Sequence, residues 1–377
     1  MKIAIVRGKH LNKYEMQFYE PLVEKYELVG FGSLRPFHDK FSFPVVKLPS
    51  PMDLPDFPFK MPILNRLFVD AQYLFGLEEK LKGFDIAHGA ETYMHFTQQC
   101  LNAKKKGYVK KVVATVFENI PFGNEGIWGR KKFKQRAIKE LDHIIAISQR
   151  AKEALILEGC EPKKITVINQ HINTAVFKPR KNIKYQIPNI KKINVLFVGR
   201  LELYKGVYEV IFAAKKLLSD PQLADYDLNF TLIGEGSEKK RLLELERRMG
   251  IAKQIIHKVV SYDKMPGEYQ KADIFVAPSR ATRHWQEQFS TVLLEAQASG
   301  LPIVTTLSGS IEENVGEAAI KVQPADFYSL AAAIKKLILN QKLRTELGRR
   351  ARARAVKYFD IKIGAKKLEE VYERLLA

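Results

Sequence analysis

A chain of 377 residues, 46% hydrophobic and 28% charged, has apolar material for two sizeable cores and excludes an intrinsically disordered protein. No window holds the roughly 18 uninterrupted apolar residues of a membrane-spanning helix. The two cysteines, Cys100 and Cys160, exclude a cysteine-built zinc site, argue against a disulfide framework and suit a reducing cytoplasm. The formal net charge of +20 favours a polyanionic partner, whether nucleic acid, anionic lipid or a phosphorylated substrate. A lysine-rich solvated surface explains the same number.

In chain order, the first apolar run, at 3–6, is too short for the core of a signal peptide and suits a first strand. Strand-like runs follow at 28–31, 86–87, 112–116, 144–147 and 165–168. A second series lies at 194–198, 229–233, 255–259, 274–277, 302–305 and 319–322. Helical patterns separate them, for example at 208–218 and 238–248, and 351–376 reads as helical with a break near Asp360. Alternating strand and helix predicts parallel sheets with right-handed crossovers, so the fold class is α/β with two Rossmann-like doubly wound domains. The expected organisation is a first domain over 1–178, a polar linker at 179–192 broken by Pro179 and Pro188, a second domain over 193–357 and a terminal helix over 358–377 packing back toward the first domain. Two such domains usually bind a ligand in the cleft that faces the carboxyl ends of their strands.

Three segments carry candidate chemistry. In the first, Glu287 and Glu295 bracket a predicted helix over 291–299, with Ser290 as N-cap and Gly300 and Pro302 as terminators. The first-turn amides, at Phe289, Ser290, Thr291 and Val292, lie between the two carboxylates and can bind phosphate with the help of the helix dipole. The spacing therefore suits one nucleotide-sugar, with ribose at Glu295, diphosphate at the amides and sugar at Glu287. Two unrelated surface glutamates would also explain it. In the second segment, a strand runs into Gly199-Arg200 and Lys205-Gly206, where two cations can neutralise a diphosphate without a metal or simply be solvated. The third is the Gly-x-Gly at Gly234 and Gly236, a weak phosphate-loop signal equally explained by a tight turn.

Together these segments resemble the retaining glycosyltransferases of family 4, which have the GT-B fold. The resemblance rests on Gly199-Arg200-Leu201 with Lys205-Gly206, on Gly234-Glu235-Gly236, on Ala272-Asp273 running through a hydrophobic strand to Pro278-Ser279, and on Glu287 through Glu295 to Pro302. These cover the second half of the chain in order. The first half matches at Asp85-Ile86-Ala87-His88, at Ile144 to Ser148, at Val167-Ile168-Asn169 and from Asn173 to Pro179. It departs from the family at Arg7-Gly8-Lys9-His10, where many members have a Gly-Gly loop. It departs again at Phe117-Glu118-Asn119, where many have a histidine, and at Asn169-Gln170-His171, which replaces Pro-Asn-Gly.

The resemblance implies GT-B architecture, with the two domains facing each other across a cleft. It also implies retaining transfer of a hexose-type sugar from a nucleoside-diphosphate donor to a glycan or lipid-linked acceptor. No metal or other cofactor is expected. Glu287 is implied to touch donor-sugar hydroxyls and Glu295 the ribose, while Arg200 and Lys205 stabilise the leaving diphosphate. Glu118 stands where the histidine is missing, as a polar contact, a base or simply a solvated acid. Arg7, Gly8, His88 and Asn119 are the acceptor-side candidates. Tyr204 and Trp285 either line the cleft or pack.

The positive charge is concentrated at 104–139, which contains Lys104, Lys110, Arg130, Lys134 and Lys139 together with Phe117, Phe122, Ile127, Trp128 and Phe133. Peripheral contact with anionic membrane from the cytoplasm is one reading of this segment, and a solvated basic face is the other. Two alternatives to a transferase stand beside it. One is a sugar-nucleotide epimerase of the same fold. The other is a nucleic-acid or polyanion-binding protein, which the absence of a recognised nucleic-acid module disfavours, so no nucleic acid is expected as partner.

Overall fold

The computed structural model describes residues 1–180 and 191–377. They divide into two compact units, Met1–His171 with Ile361–Ala377, and Ile172–Asp360. The first boundary falls earlier than the expected 178 for a physical reason. The Ile172 amide donates to the Phe359 carbonyl at 2.8 Å, and Ile172 bridges Asp360. Arg352 in turn donates to the Phe177 carbonyl at 2.9 Å. Segment 172–178 is thereby tied to the second unit. Most of the expected linker, 181–190, lies outside the described residues.

The first unit is built on a seven-stranded parallel sheet. Its strands are β1 (Lys2–Gly8), β2 (Glu27–Ser33), β3 (Val45–Leu48), β4 (Phe84–Ala90), β5 (Val109–Val116), β6 (His143–Ala146) and β7 (Ile165–Val167), in the order β3-β2-β1-β4-β5-β6-β7. β3 was not expected. It is a short edge strand, Val-Val-Lys-Leu, whose four residues give too little pattern to register. Its helices are α1 (Lys13–Met16), α2 (Lys60–Phe68), α3 (Leu77–Lys80), α4 (His95–Lys105), α5 (Arg130–Glu140) and α6 (Gln149–Leu157).

Alternation along β1 sends Ala4 and Val6 to one face, against Phe96, Cys100 and Leu101 of α4. Ile3 and Ile5 go to the other face, where Leu368, Val371 and Tyr372 of the terminal helix cover them. Burial on both faces is why the strands read as continuous apolar runs.

The second unit has six parallel strands in the order β10-β9-β8-β11-β12-β13. They are β8 (Lys191–Val198), β9 (Tyr226–Ile233), β10 (Ile255–Lys258), β11 (Ile274–Ala277), β12 (Ile303–Thr306) and β13 (Ala319–Val322). The helices are α7 (Val207–Leu218), α8 (Lys239–Arg248), α9 (Met265–Gln270), α10 (Thr291–Ala298), α11 (Ile311–Val315), α12 (Phe327–Leu339) and α13 (Gln341–Tyr358). Asp326 caps α12 by accepting from the Tyr328 and Ser329 amides, and Asn340 caps α13. α14 (Ile361–Leu376) belongs to the first unit. Strand order reverses between β1 and β4 in the first unit and between β8 and β11 in the second. Those are the points where an open α/β sheet leaves a crevice at its carboxyl edge. Among the described residues no helix is long and apolar enough to cross a membrane.

Candidate active site

A cavity of about 310 Å³ opens at the β8/β11 switch point of the second unit. Its wall brings together Gly199, Arg200, Lys205, Trp285, Glu287, Phe289, Ser290, Thr291 and Val292. The turn carrying Lys205 can sit there because Gly206 has φ +74° and no side chain; a β-carbon would lie 2.0 Å from the Pro278 carbonyl oxygen.

Glu287 is buried in the loop before α10. It forms an ion pair with Lys205 and accepts from Ser279 Oγ at 3.2 Å. The Ser310 amide donates to its carbonyl at 2.9 Å and fixes the loop. Lys205 Nζ also lies 4.5 Å above the Trp285 ring, which stands 4.3 Å from the ring of Tyr204. The ammonium is thus held between a carboxylate and an indole. Arg200 is exposed on the wall and forms a long ion pair with Glu202 at 3.6 Å. Ser290 occupies the N-cap position of α10, but its side chain makes no capping hydrogen bond, contrary to expectation. Two cations and the positive end of a helix face one carboxylate, an arrangement suited to a polyanion bearing hydroxyls.

Gly234 and Gly236 do not line the cavity. A β-carbon at either would meet the Gly199 or Leu201 carbonyl oxygen at 2.0 or 2.2 Å, and Leu201 N donates to Glu235 O at 2.9 Å. These glycines let two strand-end loops pack backbone to backbone. Glu295 is likewise off the wall. Its carboxylate is buried and accepts from Tyr269 Oη at 2.6 Å. Burial pushes its carboxyl up to about 7, against the pull of hydrogen bonds from Tyr269 and Tyr262.

In the first unit, the expectation that Arg7 and His88 face an acceptor is corrected. Arg7 is 1% exposed, and its guanidinium is consumed internally. It pairs with Glu15 at 2.6 Å, donates to the carbonyls of Val6, His88 and Gly89, and donates to Tyr19 Oη at 2.9 Å. His88 is fully buried between Tyr372 Oη at 2.5 Å and Thr115 Oγ1 at 2.8 Å. Burial, and then the Arg7 charge, holds its imidazole well below the usual range. Both residues tie sheet and helices together. Gly8 abuts Gln72 Oε1, which a β-carbon would approach to 2.7 Å, and Asn119 is buried. Glu118 is half-buried and closes its own loop, accepting from the Ile120 amide at 2.9 Å and from Asn124 Nδ2 at 2.6 Å.

Sequence reasoning missed two residues. Ser279, which holds Glu287, sat at the end of a quoted strand motif. Glu91, left-handed at φ +56°, accepts from the Phe117 and Glu118 amides at 3.0 and 3.1 Å. Burial and the neighbouring Glu118 charge push its carboxyl up to about 8. The basic segment 104–139 is also less uniform than it reads. Lys104 pairs with Asp142, Lys110 with Asp85, Arg130 with Asp70 and Lys134 with Glu158, all within 2.7 Å. Phe117, Ile127 and Phe133 are half-buried, while Phe122 and Trp128 are exposed. Among the described residues no group of three or more His, Cys, Asp or Glu is placed to hold a metal.

Two doubly wound α/β units define the chain as a GT-B fold protein, and solved structures share that fold along its whole length. The Anabaena HepE protein in complex with UDP-glucose matches with a TM-score of 0.76 at 17% identity, covering 99% of this chain and 100% of that one. Sucrose-phosphate synthase from Thermosynechococcus elongatus matches with a TM-score of 0.75 at 19% identity, over 100% of this chain and 99% of that one. The family described as Glycosyl transferases group 1 matches residues 177–354, and Glycosyltransferase Family 4 matches residues 38–176. The chain belongs to this glycosyltransferase family. D-inositol 3-phosphate glycosyltransferase of Acidothermus cellulolyticus is 30% identical over 243 residues, 59% of this chain and 53% of that relative. Glycogen synthase of Mycobacterium tuberculosis is 28% identical over 62% of this chain and 55% of its own length. The chain thus spans little more than half the length of these curated relatives.

Proposed function

We propose that the protein transfers a hexose from a nucleoside-diphosphate donor to a glycan or lipid-linked acceptor, with retention at the anomeric carbon and without a metal ion, working at the cytoplasmic side of the membrane. The observation that carries this reading is the convergence of Arg200, Lys205, Glu287 and the α10 amides on one cavity at the β8/β11 switch point. The positive charge that a divalent ion would supply to the leaving diphosphate comes from the guanidinium, the ammonium and the helix end. Glu287 receives the sugar hydroxyls; Glu295, buried off the wall against Tyr269, receives the ribose only through a rearrangement that exposes its carboxylate. Glu118 has no proton-transfer role in this reading, because both its oxygens are engaged within its own loop.

The Anabaena protein of the same fold was solved with UDP-glucose, so UDP-glucose is the first donor to try. The test is a thermal-shift panel of nucleoside diphosphates and their sugars, without added metal, on wild type, Arg200→Ala and Glu295→Gln. One nucleotide class should stabilise the wild type, by about 2.7 kcal/mol at a hundredfold excess over Kd. Both variants should weaken that response. A folded wild type that responds to no member of the panel would overturn the reading. The anomeric configuration of the product, read by NMR, tests retention.

A further inference from the structure

Helix α2 (Lys60–Phe68) presents apolar side chains to solvent. Only Leu64 is buried on it. Phe59, Ile63 and Leu67, spaced by four residues, form one stripe that is 77%, 45% and 72% exposed. Surface helices ordinarily show the reverse pattern, with the apolar stripe turned inward. The stripe continues into a second segment. Gly129 lies so close to Val69, just past α2, that a β-carbon there would be 2.8 Å from Val69 Cγ2. That contact sets Trp128, 78% exposed, beside the end of the helix.

Cations border this face. Arg66 on α2 and Lys131 and Lys132 in the first turn of α5 are exposed, and no ion pair engages them among the described residues. Most of the other cations of segment 104–139 named above are already paired with acids. Lys60 is tied to Asp56 at 3.2 Å, which leaves Asp56 as the acid at the start of the helix. A contiguous set of Phe, Ile, Leu and Trp bordered by unpaired cations matches an anionic lipid–water interface. Aliphatic and aromatic side chains enter the acyl boundary there, indole sits at the headgroup level, and lysine and arginine meet phosphate.

We propose that α2 and the Trp128 loop form a docking face for an anionic bilayer. The inference rests on the glycosyltransferase reading in one respect: it selects the lipid-linked acceptor over the soluble glycan, since an enzyme seated on the bilayer meets its acceptor there.

Vesicle flotation tests it, using full-length protein with phosphatidylcholine vesicles and with vesicles in which about a third of the lipid is phosphatidylglycerol. Wild type should float with the anionic vesicles and roughly tenfold less with the neutral ones. Leu67→Ser with Trp128→Ala should lower recovery about tenfold. Lys131→Glu with Lys132→Glu should remove the preference for anionic lipid. All four side chains are exposed, so folding should be unaffected, and the UDP-glucose thermal shift of each variant checks that. A retained nucleotide response with lost flotation supports the docking face. Absence of wild-type flotation overturns it while leaving the donor assignment intact. Flotation of the Leu67/Trp128 variant equal to wild type also overturns it. So does sedimentation showing a wild-type dimer that the same variant dissociates, which would assign the face to a second copy. Loss of nucleotide binding in the wild type would instead sink the enzymatic reading alone.

Discussion

The two switch points of this chain have the same topology and opposite contents. At β8/β11 the strand gives way to Gly199, and the polar side chains that follow stand around a cavity with Arg200 exposed. At β1/β4 an arginine sits inside the strand itself. Arg7 fills the crevice and spends its guanidinium on Glu15, Tyr19 and the carbonyls of Val6, His88 and Gly89. A cation at the carboxyl end of a parallel strand is therefore a ligand group only if it keeps hydrogen-bonding capacity that the fold does not consume. Residue type is the same in the two units; the position relative to the strand end and the number of internal partners differ.

The largest effect should come from breaking the sealed site. Arg7→Met leaves Glu15 as a buried, unpaired carboxylate, a change that typically removes about 3–5 kcal/mol. Chemical denaturation measures it, and nucleotide binding by the remaining folded protein should be unchanged. A variant of nearly unaltered stability with impaired transfer would place an acceptor at Arg7 after all. Next in size is Glu287→Gln. Losing a charge-assisted contact to the sugar should lower transfer roughly a hundredfold, about 3 kcal/mol. The same change releases Lys205 from its ion pair, so a bare nucleoside diphosphate should bind more tightly to the variant than to wild type. Calorimetry with the diphosphate alone decides this point; weaker binding would show that the pair does not hold the lysine back.

The strands of the second unit were legible because the central ones, β11 and β12, are buried throughout, and the apolar runs are bounded by glycine, proline or a charged helix. The cavity wall was legible because its residues are close in sequence, at 199–206 and 285–292. What was not legible depends on partners distant in sequence. His88 meets Tyr372, and Arg7 meets the carbonyls of β4; nothing local announces either contact. Gly234 and Gly236 resembled a phosphate loop because close backbone approach requires glycine whether the neighbour is a phosphate or another loop. The cations of segment 104–139 looked uniform because the acids that neutralise several of them, Asp70, Asp85 and Glu158, lie outside the segment.

A third, smaller effect follows from Glu295. Burial raises its carboxyl from 4.5 to about 7. A raised acid stabilises the fold while it is neutral. Its contribution is fully present below about pH 4.5 and is lost as the pH rises through 7. Glu295→Gln stays neutral, so the stability of wild type relative to the variant should fall across that window, by roughly 3 kcal/mol at most. Denaturation at pH 4 and pH 8 measures it, and parallel pH curves for the two proteins would place the charged carboxylate in a better solvated setting than its burial implies.

The smallest effect sharpens the comparison most, because it repeats the first substitution type in the other unit. Arg200 is exposed, and its pair with Glu202 at 3.6 Å is long. Such a surface pair contributes about 0–1 kcal/mol, so Arg200→Ala should leave stability within about 0.5 kcal/mol of wild type. Donor affinity should nevertheless fall about tenfold, some 1.4 kcal/mol, because a guanidinium that faces a diphosphate offers a forked set of donors that water replaces poorly. The loss should shrink as salt is raised, since the contact is open to screening. Denaturation and nucleotide titration on Arg7→Met and Arg200→Ala then give a two-by-two outcome. The sealed arginine changes the fold and not the ligand, and the open one changes the ligand and not the fold. If both variants lost stability alone, the cavity at β8/β11 would be structural as well, and the donor would have to bind elsewhere in the chain.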